Sequence, residues 1–215
     1  MKEHPVIFNA EMVRAILEGR KTQTRRVMKP QPEPCYRGGH WWPSNTFKTM
    51  LHIEEQMQNG QGGWKGLVGD ACPFGQVGDR LWVRETFMDL TGTGIEATTG
   101  KFEGFAYRTD TPAGSYGDEV RKEYGLKWTP SLHMPRKACR ILLEITAVRV
   151  ERLNDISHDD AKAEGCCYGR GGGVPDFAVT PADHFPTLWA SIYGEESWSA
   201  NPWVWVIEFR RVGGA

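Results

Sequence analysis

The chain has 215 residues, of which 40% are hydrophobic and 25% charged, and its formal net charge is −1. This length suits one domain, or one domain with large insertions, that buries a core of its own. The near-neutral charge argues against a general attraction to polyanions. No apolar run approaches the roughly 20 residues that span a bilayer, so we expect no membrane association.

The cysteines indicate a reduced protein. They are odd in number and include an adjacent pair, which argues against a secreted disulfide framework. The first five residues are not followed by an apolar signal region. We therefore expect a cytoplasmic location. Two sets of residues could be imagined as metal ligands: Cys35, His40 and Cys72, and Cys166, Cys167 and His184. Neither set has the Cys-x-x-Cys spacing of zinc sites, so we expect no metal and no cofactor.

The first elements of the chain are a short strand and an amphipathic helix. Val6–Phe8 is an apolar run, and Asn9 can cap the helix predicted over residues 10–18. Gly19 stands where a left-handed residue ends such a helix. The apolar residues recur at helical spacing: Met12, Val13, Ile16 and Leu17.

A basic segment follows this helix, with no acidic residue between Gly19 and Pro32. On a nearly neutral chain, a local positive cluster favours a site for an anion or a polynucleotide. Its members are Arg20, Lys21, Arg25, Arg26 and Lys29.

Residues 30–79 contain many Pro and Gly and predict an insertion, with one or two helical turns near 50–57. Trp41 and Trp42 lie in this polar stretch and are candidates for stacking on bases. Alternating apolar residues predict a strand over Arg80–Met88. Glu85 falls on its apolar face, where it either pairs with a basic residue such as Arg108 or lines a cleft.

The middle of the chain is predicted as a loop over 89–103, a short strand at Gly104–Arg108, and mostly irregular structure over 109–136. Ile141–Glu151 is the longest predicted strand. Its apolar alternation changes parity at Ala147–Val148, which predicts a β-bulge or sharp bend there.

The C-terminal part is predicted to hold two helices and a closing strand. Ser157 caps the first helix, and Glu164 lies in its last turn before Gly165. An acid there opposes the helix dipole, so it is exposed, paired with a cation, or used in chemistry. The second helix spans Phe185–Tyr193, and the strand spans Trp203–Arg210. Separated strands with few helices between them favour a mixed barrel over a doubly wound sheet.

Three stretches together resemble the ASCH family, relatives of the PUA RNA-binding fold. They are Gly19-Arg20-Lys21-Thr22-Gln23-Thr24-Arg25, which with Arg26 matches the family signature, the turn and strand Gly78–Glu85, and the closing strand Val206–Arg210. The longer architecture is also similar to ASCH proteins of bacteriophages and prophages. The resemblance covers about half of the chain.

The resemblance implies an α+β fold: a PUA-like mixed β-barrel with flanking helices and long loop insertions. We expect one ASCH-like domain over residues 1–215, with insertions at about 30–79, 89–136 and 166–182. The family's cleft accepts a nucleoside or RNA, which is the expected partner here. Nothing in the sequence indicates the oligomeric state.

A bacterial branch with a similar motif hydrolyses N4-acetylcytidine to cytidine and acetate, using a Lys, a Thr and a later Glu. Lys21 and Thr24 match the first two positions. Glu164 matches the third through a segment in which only Ala161 and Glu164 are identical. The expected roles are a threonine hydroxyl as nucleophile, a proton acceptor, and a lysine that acts either as a base of lowered pKa or as an ammonium that holds the acyl oxygen.

The expected contacts to substrate or nucleic acid are Arg20, Arg25, Arg26, Trp82, Arg84 and Glu85, although Trp82 also suits the core. The preferred hypothesis is an amidohydrolase that acts on N4-acetylcytidine. The alternatives are a non-catalytic module that binds RNA or DNA through its basic and aromatic residues, and a ribonuclease on the same fold.

Overall fold

The computed structural model describes residues 1–56, 70–95, 104–166 and 180–213. The helices are α1 (Ala10–Leu17), α2 (Ile53–Gln56), α3 (Tyr116–Glu123), α4 (His158–Ala163) and α5 (Pro181–Tyr193). The strands are β1 (Glu3–Ile7), β2 (Gln23–Val27), β3 (Glu33–Pro34), β4 (His40–Ser44), β5 (Thr49–His52), β6 (Arg80–Arg84), β7 (Phe87–Asp89), β8 (Phe105–Tyr107), β9 (Leu142–Arg152) and β10 (Trp203–Arg211).

A five-stranded sheet in the order β1-β6-β9-β10-β2 forms the centre of the molecule. Strands β1 and β6 are parallel, and the other neighbours are antiparallel. Within the described residues no ladder joins the edge strands β1 and β2, so the predicted barrel is not closed. The mixture of helices with several sheets agrees with the predicted α+β class.

A side chain, rather than a ladder, crosses the gap between the two edge strands. Arg26 on β2 donates from Nη2 to the carbonyl of Ile7 on β1 at 3.0 Å. Its guanidinium also lies over the Phe8 ring, 5.5 Å from the centroid. Helix α1 connects the two edges, so the gap is bordered by β1, α1 and β2.

Strand β10 is buried on both faces, which explains its unbroken apolar run. Trp205 and Ile207 pack into the main core with β6, β9 and α1. Val204 and Val206 point the other way, into a second core that contains Phe185 of α5. The strand therefore anchors α5 on one face of the sheet and α1 on the other.

The predicted bulge in β9 is confirmed. The register of β9 against β10 moves from the pair Glu208–Ala147 to the pair Phe209–Ile145, so Thr146 is the extra residue. The insertion of one residue reverses the face of every later side chain. For this reason apolar positions of both parities in the sequence reach the core.

The helix ends also follow the sequence. Asn9 accepts a hydrogen bond from the Met12 N–H at 2.8 Å, and Ser157 accepts one from the Asp160 N–H at 3.1 Å. Gly19 and Gly165 adopt φ values of +74° and +89° after α1 and α4. Both predicted helices therefore begin and end where their capping residues indicate.

The continuous strand predicted over Arg80–Met88 is wrong in its second half. Strand β6 ends at Arg84, and β7 then pairs with β8 in a separate sheet. The break falls at Glu85, whose carboxylate is buried and ion-paired with Arg140 at 2.8 Å. The expected pairing with a basic residue is therefore confirmed, but the partner is Arg140 and not Arg108.

The prediction of mostly irregular structure over 109–136 missed α3. This helix lacks an apolar stripe and is stabilised by charge instead. Asp118 lies 3.0 Å from Arg121 and 2.8 Å from Lys122 on the next turn, and Ser115 caps its first turn. Periodicity of apolar residues cannot detect such a helix.

The insertion at 30–79 contributes a small sheet, β3-β4-β5, and the short helix α2. Trp42 is 3% exposed and packs in the main core, so the prediction that it stacks on bases is wrong. Residues 57–69, 96–103 and 167–179 lie outside the described residues, and with them Cys167 and most of the third predicted insertion. No helix in the described part of the chain is long and apolar enough to cross a bilayer.

Candidate active site

The turn after α1 brings the start of β2 against the end of α4. After α1, the N–H groups of Arg20 and Lys21 both donate to the carbonyl of Ala15, at 2.8 and 3.0 Å. This turn leads directly into β2. The segment then lies along the end of α4, where the Thr22 N–H donates to the Ala163 carbonyl at 2.8 Å. Lys21 and Glu164 form an isolated antiparallel bridge there.

The side chains of Lys21 and Glu164 meet at this bridge. The Lys21 Nζ donates to Glu164 Oε2 at 2.7 Å and to the Glu164 carbonyl at 2.9 Å. The two residues are only 2% and 4% exposed. The sequence expectation that an amine and a carboxylate from separate helix ends would meet is therefore fulfilled in the geometry.

Burial changes the acid–base behaviour of this lysine. Loss of hydration lowers the pKa of the Lys21 amine below its ordinary value, and the Glu164 carboxylate opposes this shift without cancelling it. The Arg26 guanidinium acts in the same direction as burial. A lysine of lowered pKa loses its proton more easily and is better suited to act as a base.

Thr24 lies on β2, three positions after Lys21 in the sequence, and is 3% exposed. Among the described residues its hydroxyl has no hydrogen-bond partner. It lines a cavity of about 240 Å³ together with Glu164 and Arg26. The cavity lies at the gap between the edge strands, and its lining includes Thr24 and Glu164 but not Lys21.

Apart from Asn9 and Arg25, the rest of the cavity lining is apolar and aromatic. Helix α5 forms one wall, and Ile7 and Met12 form the opposite side. Trp189 and Tyr193 of α5 stack on each other with centroids 4.2 Å apart. An apolar pocket with a few polar groups at one end is the usual form of a small-molecule site. The α5 residues that line it are Phe185, Leu188, Trp189, Ile192 and Tyr193.

Three of the predicted contact residues, Arg20, Arg25 and Arg26, belong to the basic segment. Arg26 lines the cavity. Arg25 also lines it, but its side chain is fully buried and pairs with Glu151 and Glu164. Arg20 lies at the surface, where it pairs with Glu18 and donates to the Gly165 carbonyl at 3.1 Å.

The other predicted contacts lie elsewhere. Glu85 accepts hydrogen bonds from Arg140 and from the Thr109 hydroxyl. Arg84 donates to the Met134 carbonyl at 3.3 Å and lies over the half-buried Trp82 ring. None of the three lines the cavity. Their assignment to substrate binding stays a prediction.

Sequence reasoning missed the aromatic wall of α5 and the acids behind Arg25. The wall was predicted as a helix stripe but was not connected with the basic segment, because nothing local indicates that α5 packs over β2. Glu151 and Asp160 were hidden for a different reason: each looks like an ordinary surface acid on its own element. Within the described residues, no group of three His, Cys, Asp or Glu side chains is arranged to bind a metal ion.

Comparison with known proteins adds little to this geometry. No protein-family model matches the chain, and no curated protein matches it significantly. The crystal structure of an ASCH domain from Lactobacillus crispatus JV V101 aligns with 99% of this chain and 80% of that chain, at 12% identity and a TM-score of 0.39. A likeness of that degree carries no conclusion, so the family resemblance still depends on the motifs in the sequence.

Proposed function

We propose that this protein is an amidohydrolase that removes an acyl group from a modified nucleoside or from RNA, with N4-acetylcytidine as the specific substrate. The observation that carries the proposal is the buried pair of Lys21 and Glu164, joined at 2.7 Å, beside a cavity that Thr24 lines. This arrangement supports a site that combines a nucleophile, a proton acceptor and space for the substrate, as amide hydrolysis requires.

In the proposed reaction the Thr24 Oγ1 attacks the acyl carbon, and its proton passes to the Lys21 amine or the Glu164 carboxylate. The amide C–N bond breaks, and the nitrogen takes that proton and leaves as the amine of cytidine. The acetyl group remains as an ester on Thr24 until water hydrolyses it to acetate. If water attacks the amide directly, the same groups accept its proton.

The small volume of the cavity favours a small ligand. Pockets for drug-sized ligands usually measure about 300–1,000 Å³, and this cavity, at about 240 Å³, lies just below that range. It therefore suits a single nucleoside better than a folded RNA element. Trp189 and Tyr193 offer aromatic surface beside which a pyrimidine ring can stack.

The test is hydrolysis of N4-acetylcytidine, followed by release of acetate. We expect Thr24→Ala to lose activity by at least about a hundredfold, because it removes the nucleophile. Thr22→Ala is the matched control, since Thr22 is an exposed threonine two positions away on the same segment. No acetate release by the unaltered protein at high enzyme concentration would exclude the proposal.

The second candidate is a non-catalytic nucleic-acid-binding module. Arg26 favours it, because it lines the cavity and has no ion-pair partner among the described residues. Arg25 no longer supports it, because its guanidinium is fully buried. This candidate predicts RNA binding that weakens steeply with salt and is unaffected by Thr24→Ala. A labelled RNA in the same assay would also reveal the third possibility, a ribonuclease.

A further inference from the structure

Arg25 occupies an unusual position for a basic residue of a predicted anion site. It follows Thr24 on β2, so its side chain leaves the opposite face of the strand. That side chain has no solvent exposure, and Phe185 lies against its guanidinium with the ring centroid 5.8 Å away. A fully buried guanidinium needs partners for its charge and its N–H groups.

Acids from two other elements supply those partners. Arg25 Nη1 donates to Glu164 Oε1 at 3.1 Å, and Nε donates to Glu151 Oε1 at 3.1 Å. Nη2 makes a short contact with the same Glu151 oxygen and lies 3.5 Å from Asp160 Oδ2. The Arg25 guanidinium therefore connects three places: Glu151 on β9, Asp160 within α4, and Glu164 at the C-terminal end of α4.

The two oxygens of Glu164 have different partners. Oε1 accepts from Arg25 at 3.1 Å, and Oε2 accepts from Lys21 at 2.7 Å. The bond to Arg25 fixes the rotation of the carboxylate, so that its other oxygen faces the amine. Arg25 is also the one cation in the described part of this cluster that contacts all three of its neighbouring carboxylates, Glu151, Asp160 and Glu164.

We propose that Arg25 is a positioning residue of the candidate active site: although it lines the cavity, its guanidinium is committed to acids, and it holds the Glu164 carboxylate against Lys21 and keeps that carboxylate shared between two cations. This inference rests on the proposed function, which makes Glu164 and Lys21 the proton-handling pair. It replaces the sequence expectation that Arg25 contacts phosphate.

Lysine is the informative substitution at this position. Arg25→Lys keeps the positive charge, but a single ammonium cannot span Glu151 and Glu164 as a guanidinium fork does. The Glu164 carboxylate is then shared less with position 25, so its negative charge acts more strongly on the Lys21 amine. We expect kcat for acetylcytidine hydrolysis to fall by about tenfold to a hundredfold, with KM changed less than about threefold, because misplacement of a reacting group affects the chemical step.

Arg149 provides the matched control. It belongs to the same ionic cluster, where it pairs with Glu151, Asp160 and Glu208, but it does not contact Glu164. Arg149→Lys therefore disturbs the cluster to a similar extent without releasing the Glu164 carboxylate. We expect its kcat to stay within about twofold to threefold of the unaltered protein.

A second readout does not depend on turnover. The titration of the Lys21 amine can be followed by NMR in lysine-labelled protein, with the signal assigned by its loss in Lys21→Arg. The charged and titratable groups around this amine are Glu164, Arg26 and Cys166, with Arg25 behind Glu164. When Arg25→Lys frees Glu164, the Lys21 midpoint should rise by about one pH unit. It should not move in Arg149→Lys.

The two measurements separate the inference from the function on which it rests. Absence of acetate release in all proteins, with the Lys21 midpoint raised only in Arg25→Lys, would reject the substrate and keep the positioning role. Normal kcat and an unchanged midpoint in Arg25→Lys would overturn the inference, as would equal effects in Arg149→Lys. If Arg25→Lys does not fold, Glu151→Gln, which weakens the hold on Arg25, should give the same changes to a smaller extent.

Discussion

At the scale of single residues, Gly165 determines how closely the end of α4 approaches α1. Its φ is +89°, a conformation that side chains rarely adopt. A Cβ at this position would lie 2.9 Å from the Cβ of Ala15 and 3.1 Å from the Cβ of Lys21. The absence of a side chain therefore allows Glu164 and Lys21 to come together.

We expect Gly165→Ala to reduce both stability and activity, because strain in the backbone adds to a collision with Lys21. The control is Gly125→Ala, where φ is +65° but no atom lies within 4 Å of the new Cβ. That change should cost only the conformational strain of about 1–2 kcal/mol. Urea unfolding and acetate release measure the two effects, and equal loss of activity in both variants would contradict the role of close approach.

The individual residues of the site were predictable to different degrees. The motif pointed to Lys21, Thr24 and Glu164, and the expected contact between Lys21 and Glu164 is present at 2.7 Å; the catalytic role of the three residues stays a prediction. The acids that surround Arg25 were not predictable, because they lie more than a hundred residues away in the sequence and local patterns do not report such contacts.

At the scale of elements, Asp79 fixes the N-terminal strand beside β6. Its Oδ1 accepts from the Lys2 N–H at 2.6 Å, and its Oδ2 accepts from the Gln76 N–H at 3.3 Å. Burial raises the pKa of this carboxyl, but the hydrogen bonds from Lys2, Gln76 and His4 outweigh it, and the pKa is lowered. The ionised form of Asp79 thus stabilises the fold.

This lowered pKa sets the sign of a pH effect. The folded protein binds a proton at Asp79 less readily than the unfolded chain, so the stabilisation is complete above the ordinary aspartate pKa and disappears as the pH falls through the lowered value. We expect Asp79→Asn to lose about 1.5–3 kcal/mol at neutral pH, and less once the pH falls below the ordinary aspartate pKa of about 3.9. Denaturant unfolding across this pH range measures the difference.

Asp159→Asn is the control for that series, because the Asp159 side chain is fully exposed. Its unfolding free energy should follow that of the unaltered protein at every pH. A constant deficit of Asp79→Asn from neutral to acidic pH would show that the charge of Asp79 is irrelevant and would contradict the assignment.

Elements that carry their own signals were predicted well. Helices α1 and α4 begin at capping side chains, and β9 reveals its bulge through a change of parity. The break between β6 and β7 was not predictable, because it depends on the ion pair between Glu85 and Arg140, which are distant in the sequence. Helix α3 was missed because ionic contacts, and not an apolar face, support it.

At the scale of the whole molecule, the insertion that contains β3, β4 and β5 is part of the main core. The Trp42 ring packs edge-on against Trp205 of β10, with centroids 5.4 Å apart. Its indole N–H also donates to the Pro30 carbonyl at 3.1 Å. The small sheet therefore contributes to the stability of the central sheet.

We expect Trp42→Ala to destabilise the protein by about 3–5 kcal/mol, since it leaves a cavity beside Trp205. The neighbouring half-buried Trp41, which contacts His52 at the surface, is the matched control, and Trp41→Ala should cost clearly less. Thermal unfolding followed by calorimetry compares them. Similar losses of stability in the two variants would show that the insertion packs only loosely on the core.

The overall architecture was predictable in class but not in closure. The pattern of separated strands gave the correct mixture of helices and sheets. It did not show that the sheet stays open between β1 and β2, because edge pairing depends on how α1 and Arg26 fill the gap. The candidate cavity lies in that opening, so the feature that sequence patterns could not predict is the one that provides space for a ligand.

The main-chain bridge between Lys21 and Glu164 has a practical consequence. Backbone atoms hold these segments together, with the Thr22 N–H bound to the Ala163 carbonyl at 2.8 Å. The reactive side chains can therefore be substituted without separating the two segments. An inactive variant made in this way would keep its fold and could be used to capture the ligand. Any small molecule that it retains from a cell extract could then be identified by mass spectrometry.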